Sequence, residues 1–243
     1  MFSFSLLLIS CASAPVQEPS AQFWQGWVYD DIPAENTPGL EIGSITMTAA
    51  DGVEVSTGEQ RDEARLGLWT FEVEPNIDVS IRVEGPEHYP TIWRAHTPST
   101  NGFWYSGAIF GVKTATFDAF LESLSELTEQ ELGQSEGAHL YGEPLPLTMK
   151  DLDAWTDASI TVYDGAGQVH DAITLVLDEE TGGLMLPGPE PEPIAAFVAT
   201  DLAPGAIALV IDSADGRSSV VEYQAEAGDL LSAFAFTLPL ESP

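Results

Sequence analysis

The feature that most constrains the fold is a strict alternation of side chains over residues 77–84, where every odd position is branched aliphatic and every even position is polar. Successive side chains of a strand point to opposite faces, so this period predicts an antiparallel strand with one buried and one solvated face. Runs at 23–29, 44–50 and 68–73 predict further strands, and Asp51-Gly52 favours a tight hairpin turn. The first half is therefore predicted to be β.

One segment has the period of a helix instead. Residues 116–132 place their apolar side chains on one face at helical spacing. These side chains are Phe117, Phe120, Leu121, Leu124, Leu127 and Leu132. We expect this amphipathic helix to pack across a sheet or between two domains.

The second half of the chain resembles the first, segment by segment and in the same order. The similar pairs are 26–33 with 139–146, 44–55 with 159–169, and 69–88 with 196–216. An internal repeat of this kind predicts two related β-domains in tandem. With 243 residues, of which 44% are apolar, the chain is long enough for two small cores.

Within the second copy, residues 196–210 form an apolar strand, a turn at Leu202-Ala203-Pro204-Gly205, and an alternating strand. This pattern resembles the prealbumin-like, carboxypeptidase regulatory-like domain family, and immunoglobulin-like sandwiches share much of it. The first copy has Glu74-Pro75-Asn76 where the family has Pro-Gly. The resemblance implies antiparallel β-sandwiches that serve as non-enzymatic accessory or binding modules.

The predicted fold is therefore mainly β, with two tandem antiparallel β-sandwich domains of prealbumin-like or immunoglobulin-like type and one amphipathic helix between them. The boundaries we expect are 22–113 for the first domain, 114–137 for the helix and linker, and 138–243 for the second domain.

The N-terminus predicts attachment to a membrane. Residues 1–10 form an apolar leader shorter than the ~20 residues of a membrane span, which suits a signal peptide. Leu8-Ile9-Ser10-Cys11 resembles the bacterial lipobox, which implies cleavage before Cys11 and acylation, including palmitate, of that residue. By the same resemblance, Ala12 implies the outer membrane, facing the periplasm or the outside. Residues 11–21 would be the lipidated tether, and an ordinary signal peptide is the alternative.

The charge of the chain excludes several partners. There are 39 acidic and 7 basic residues, and the formal net charge is −32. Such a surface repels nucleic-acid phosphates and anionic lipid headgroups. We therefore expect no nucleic-acid partner, and contact with the membrane only through the lipid.

H-E-x-x-H, a P-loop and G-x-G-x-x-G are missing from the sequence. The one G-x-S-x-G match, residues 133–137, lies in a polar break after the predicted helix and not at the strand-to-helix turn where that motif presents its serine. We therefore expect a non-enzyme. The alternative is a secreted hydrolase that uses His88 or His96, which lie eight residues apart beside Glu87. A zinc site there would need at least a third converging ligand.

Acidic side chains suggest a calcium site as a further alternative, in a calcium-stabilised adhesion module. The segment DLDAWTD carries Asp151, Asp153 and Asp157, but the later positions of an EF-hand loop are wrong. A looser site could use Asp212 and Asp215. Solvated acidic loops explain the same residues, so we expect no cofactor beyond this calcium alternative.

An aromatic-rich stretch gives the candidate binding surface. Its residues are Tyr89, Trp93, Arg94, His96, Phe103, Trp104 and Tyr105. Exposed rings could contact a protein or stack on a glycan, whereas aromatic residues on strands are usually core, and only an exposed patch implies function. The predicted function is a non-catalytic, lipid-anchored envelope protein that binds protein or glycan or has a structural role.

Overall fold

A computed structural model of the protein describes residues 77–94, 111–133, 136–144, 154–178 and 180–233 with their side chains, and the backbone of further strands between 22 and 110. The strands up to residue 113 are β1 (Gln22–Tyr29), β2 (Ser44–Ala49), β3 (Glu54–Thr57), β4 (Glu59–Gln60), β5 (Leu68–Val73), β6 (Asp78–Glu84), β7 (His88–Tyr89), β8 (Thr91–His96), β9 (Trp104–Tyr105), β10 (Ile109–Phe110) and β11 (Val112–Lys113).

One helix, α1 (Thr114–Thr128), follows at once in the described chain. The remaining strands are β12 (Ala138–Gly142), β13 (Ser159–Tyr163), β14 (Val169–Asp171), β15 (Ile173–Leu177), β16 (Leu184–Met185), β17 (Ala196–Leu202), β18 (Gly205–Asp212), β19 (Ser218–Ala225) and β20 (Leu230–Ser232). The mainly β prediction with one helix is confirmed for the described residues.

Helix α1 begins and ends earlier than the predicted 116–132. Glu129 adopts a left-handed φ of 55° and its backbone N–H donates to the Ser125 carbonyl oxygen, which stops the helix. Leu132 lies beyond this turn, where its N–H donates to Ser125 Oγ at 3.2 Å. Leu132 is nevertheless buried, so the apolar pattern correctly predicted burial and wrongly extended the helix.

Strands from both halves of the chain form one nine-stranded sheet, in the order β16-β15-β17-β12-β20-β8-β6-β2-β3. The halves meet at β20, which pairs with β12 on one side and β8 on the other. Both of these pairings are parallel, unlike the antiparallel pairing that the sequence predicted. This sheet crosses the boundary that we expected between two domains. The division into two domains stays a prediction.

The internal repeat reappears in the strand pairing. In the first copy, β1 pairs with β5 and β2 pairs with β6, all antiparallel. In the second copy, the equivalent strands pair in the same way, β12 with β17 and β13 with β18. The large sheet therefore joins the second pair of one copy to the first pair of the other.

A four-stranded sheet, β14-β13-β18-β19, packs on one face of the large sheet and encloses the main core. That core includes Leu140, Trp155, Ile160, Val162, Phe197, Leu202, Ile207, Leu209, Ile211, Tyr223 and Leu231. Helix α1 covers the opposite face of the same central strands. Its core includes Phe117, Leu121, Leu124, Tyr141, Leu175, Val198 and Leu230. The prediction that the helix packs across a sheet is confirmed.

The Pro204-Gly205 turn connects the two sheets. Strand β17, before the turn, belongs to the large sheet, and β18, after it, belongs to the four-stranded sheet. Gly205 has φ 128°, a conformation that side chains disfavour. A Cβ on Gly165 would collide with the Pro204 carbonyl oxygen, so glycine is required for the β13–β14 loop to lie against this turn.

A partly buried ion pair also joins the halves. Arg82 on β6 contacts Asp229, just before β20, through Nη2 to Oδ1 at 2.9 Å and Nη1 to Oδ2 at 3.0 Å. The Asp229 side chain is 1% exposed. Burial alone would lower the pKa of Arg82, but hydrogen bonds to Asp229 and Glu84 raise it above its usual value. The guanidinium therefore stays charged at this joint.

Candidate functional site

The predicted aromatic surface is partly core. Trp93 on β8 is only 7% exposed, which places its ring in the interior and not on a binding surface. Its neighbour Arg94 donates from Nη1 to Ser80 Oγ at 2.7 Å, a contact across two paired strands. The side chains of His96, Phe103, Trp104 and Tyr105 lie outside the described residues.

Tyr89 fastens the edge of this region to helix α1. Its ring meets Phe117 edge-on with centroids 5.4 Å apart, and its hydroxyl donates to Asp118 Oδ1 at 2.7 Å. Burial, and then the Asp118 carboxylate, raise the pKa of Tyr89 well above its usual value. The side chain therefore serves as a structural contact.

Two of the three described histidines, His88 and His139, are buried, and the third, His170, is partly exposed beside Asp164. His88 is 6% exposed on β7. His139, which the sequence left unassigned, is 3% exposed and packs against the rings of Tyr89 and Phe117 at 5.9 and 5.8 Å. Burial lowers the pKa of His139, although Asp201 and Asp118 oppose that shift. Neither buried ring supports the hydrolase hypothesis.

Three of the calcium candidates, Asp157, Asp212 and Asp215, lie in the described chain. Asp157 and Asp212 are exposed, and Asp215 accepts hydrogen bonds from Ser213 and from Arg217 within its own turn. Trp155, in the middle of the candidate loop, is instead 1% exposed in the main core. Asp151 and Asp153 lie outside the described residues. Nowhere in the described chain do three His, Cys, Asp or Glu side chains converge as a metal site would require.

Asp164 is a carboxylate whose role the sequence did not predict. It accepts backbone hydrogen bonds from Ala166, Gln168 and Ala203 at 2.8–3.2 Å, and lies 3.0 Å from His170 Nε2. Burial opposes its ionisation, but the His170 contact and the three N–H groups outweigh this and lower the pKa of Asp164. It anchors the β13–β14 loop to the residue before Pro204.

The surface that stands out is the solvent side of the four-stranded sheet. Side chains on β13, β18 and β19 alternate between the core and water, and we call the water-facing set of β13, β14, β18 and β19 the outer face. Its apolar members are Tyr163, Val169, Ala206, Ala208, Val210 and Val220. Its charged members are Asp171, Asp212 and Glu222.

Three apolar side chains of the outer face are well exposed: Tyr163 at 43%, Val169 at 60% and Val220 at 59%. Tyr163 lies between Val169 and Ala208 in one cross-strand row, and Val210 lies beside Val220 in the next. The water-facing side of an antiparallel sheet is usually polar, so contiguous exposed apolar side chains favour a contact surface.

The outer face left a weak signal in the sequence. Residues 205–212 alternate in size, but their water-facing positions hold Ala206, Ala208 and Val210 before Asp212. Because both sets are apolar, the period does not say which side is exposed. Only the sheet packing separated the core residues from the outer face.

No described helix has the length and apolarity that crossing a bilayer requires.

No protein-family model matches the chain, and no curated protein matches it. Among solved structures, the Bacillus anthracis TIE protein is 13% identical with a TM-score of 0.31; the match covers 89% of this chain and 34% of that one, so the chain spans about a third of its length. The major pilin subunit BcpA of Bacillus cereus is 9% identical, covering 86% and 69%, with a TM-score of 0.30.

A putative adhesin from Bacteroides ovatus is also 9% identical, with 84% of this chain and 76% of that one covered and a TM-score of 0.24. The structural neighbours thus include pilin subunits and an adhesin, at TM-scores too low to transfer a residue, a ligand or a role.

Proposed function

We propose that the chain is a non-catalytic binding module of the cell envelope, held at the outer membrane by a lipid on Cys11. The anchor rests on the Leu8-Ile9-Ser10-Cys11 motif, which lies outside the described residues. With a net charge of −32, the body of the protein has no electrostatic attraction to an anionic bilayer. The lipid would supply the attachment, and stable anchoring requires more than one acyl chain.

The observation that carries the binding role is the exposed apolar set on the outer face. Tyr163, Val169 and Val220 are each more than 40% exposed, and they project from a sheet whose other face packs in the main core. A rigid β-scaffold presents side chains in fixed positions, which lowers the conformational cost of binding. The ligand is a protein or a glycan of the envelope.

Two further observations favour a module without catalysis. The polar side chains near the predicted aromatic surface are engaged in fastening elements together, Tyr89 with Asp118 and Arg94 with Ser80. The side chains of His88 and His139 are buried, so a substrate in solution would not reach them. A structural role therefore accounts for these polar side chains without a catalytic one.

Photo-cross-linking in the cells that make the protein tests the binding role. A benzophenone amino acid replaces Tyr163 in one variant, Val220 in a second, and exposed Leu127 on α1 in a matched control. We expect discrete adducts from positions 163 and 220 and none from 127. Equal adduct patterns at all three positions, or none at any, would contradict a binding role for the outer face.

The anchor has a separate test. Mass spectrometry of the mature N-terminus is expected to find acylated Cys11, and a Cys11→Ser variant is expected to leave the membrane fraction. Recovery of unlipidated wild-type protein free of membranes would overturn the lipid anchor without touching the binding role.

A further inference from the structure

We propose that the outer face binds a basic protein surface, one in which aliphatic or aromatic side chains are flanked by lysine or arginine. This inference rests on the proposed binding role and adds the chemistry of the partner. It follows from how charge and apolar side chains are arranged on the four strands.

The carboxylates border the apolar side chains on more than one side. The first cross-strand row runs from Val169 on β14 through Tyr163 and Ala208. It ends at Glu222 on edge strand β19. In the next row, Asp171 lies on the opposite edge strand, β14, at the far end from Val220.

Asp212 closes a third side, at the end of β18, where it pairs with Ser159 on β13 and Ser218 on β19. Asp171, Asp212 and Glu222 are all exposed. No lysine or arginine occurs in the sequence of these four strands. Within these strands the outer face is therefore an apolar centre whose charged border positions are all carboxylates, and the nearby Arg217, in the β18–β19 turn, is paired with Asp215.

This arrangement selects a partner of opposite charge. Carboxylates around an apolar contact attract lysine and arginine at the rim and repel acidic surfaces. A second copy of this chain is disfavoured, because each copy has a net charge of −32 and would bring the same carboxylates together. An anionic membrane surface is disfavoured for the same reason.

The apolar centre favours protein over glycan. Sugar rings stack best on several flat aromatic side chains, and the outer face has one aromatic residue, Tyr163. Its other apolar members are valine and alanine, which pack well against aliphatic side chains at the core of a protein interface. A β-sheet face of this kind suits a protein surface with a small apolar centre.

Calorimetric titration of the full mature chain tests this inference with defined synthetic peptides. The probes are an alternating Leu/Lys peptide, a Leu/Gln peptide that has the apolar side chains without charge, and a Ser/Lys peptide that has the charge alone. We expect the Leu/Lys peptide to bind more than about tenfold tighter than either other peptide, a difference of about 1.4 kcal/mol per tenfold. Isotope-edited NMR is expected to place it on the outer face.

Matched variants separate the apolar and the charged contributions. Val169→Thr with Val220→Thr should weaken Leu/Lys binding about tenfold, whereas Leu177→Thr, an exposed apolar control elsewhere, should leave it unchanged. Asp171→Asn with Glu222→Gln should weaken it several-fold at low salt and less at high salt. The control pair Glu122→Gln with Glu126→Gln, exposed on α1 on the far side of the large sheet, should have little effect.

The outcomes distinguish the two proposals. Equal binding of the Leu/Gln peptide, or equal effects of both carboxylate pairs, would overturn the basic partner and leave the binding role standing. Binding of a β-1,4-linked N-acetylglucosamine oligosaccharide at the outer face, with no peptide bound, would overturn the protein partner. If neither the peptides nor the cross-linker at 163 and 220 found a ligand there, both proposals would fail.

Discussion

The central strands of the large sheet and the strands of the four-stranded sheet differ in how many of their faces are covered. Strand β12 is buried at all five positions, because α1 covers one face and the four-stranded sheet covers the other. Strand β18 instead alternates between buried and accessible positions. An apolar residue on β12 follows from packing, whereas one on the water-facing side of β18 needs another explanation.

This difference decides which residues carry information about function. Phe197 and Val198 are neighbours on β17 and both are fully buried, on opposite faces of the sheet. On β19, Val220 and Tyr223 lie on opposite faces, and only Tyr223 is in the core. We therefore assign a structural role to the apolar residues of the central strands and a binding role to those of the outer face.

The largest expected effect tests the doubly covered strands. Phe197→Ala should lower the free energy of unfolding by about 3–5 kcal/mol, because it leaves a cavity where the Phe197 ring packs over Gly142. Urea unfolding followed by tryptophan fluorescence measures the change. Val220→Ala, on the outer face, is the matched control and should stay within about 0.5 kcal/mol. Comparable losses in both variants would refute the contrast between the two sheets.

The next effect tests the joint between the halves. Asp229→Ala should cost roughly 2–3 kcal/mol, because it removes the two-point partner of Arg82, which keeps Glu84 as a partner, and the acceptor of the Glu226 N–H. A fully buried pair would cost more, but the Arg82 side chain is 26% exposed. The control, Glu84→Gln, removes a partner that is 47% exposed and should cost less than about 1 kcal/mol.

Hydrogen exchange shows whether this joint couples the two halves. In Asp229→Ala, amides of β6 and of β12 should both exchange faster, because β8 and β20 connect these strands within one sheet. Faster exchange in β6 alone, with β12 unchanged, would favour two independent domains as the sequence predicted.

The smallest effect depends on pH. Asp164→Asn should cost about 1 kcal/mol at neutral pH, because it weakens hydrogen bonds to a charged acceptor. The pKa of Asp164 is below the ordinary value of 3.8 in the folded state, so its contribution is complete above pH 3.8 and is lost as pH falls through the lower folded pKa. Thermal melts of both proteins should converge in strong acid. A gap that widened on acidification would contradict this assignment.

Much of the secondary structure was predictable from local patterns. The alternation at 77–84 became β6, in which Val79, Ile81 and Val83 are buried as predicted. The predicted strands on either side of Asp51-Gly52 pair as β2 and β3, and the turn itself lies outside the described residues. The sequence did not predict that Trp155 is a core residue, because its acidic neighbours in DLDAWTD suggested a loop in solvent. Local composition could not reveal that the ring turns inward between the sheets.

The sequence by itself determined the strand and helix periods, the repeated order of segments, the charge and the lipobox-like motif, because each depends on residues near one another in the chain. Tertiary structure alone decided that β20 joins β8 to β12, that the Pro204-Gly205 turn connects two sheets, and that the outer face stays open. A period of two shows that a strand has two different sides, but the distant segments that pack on it decide which side water reaches.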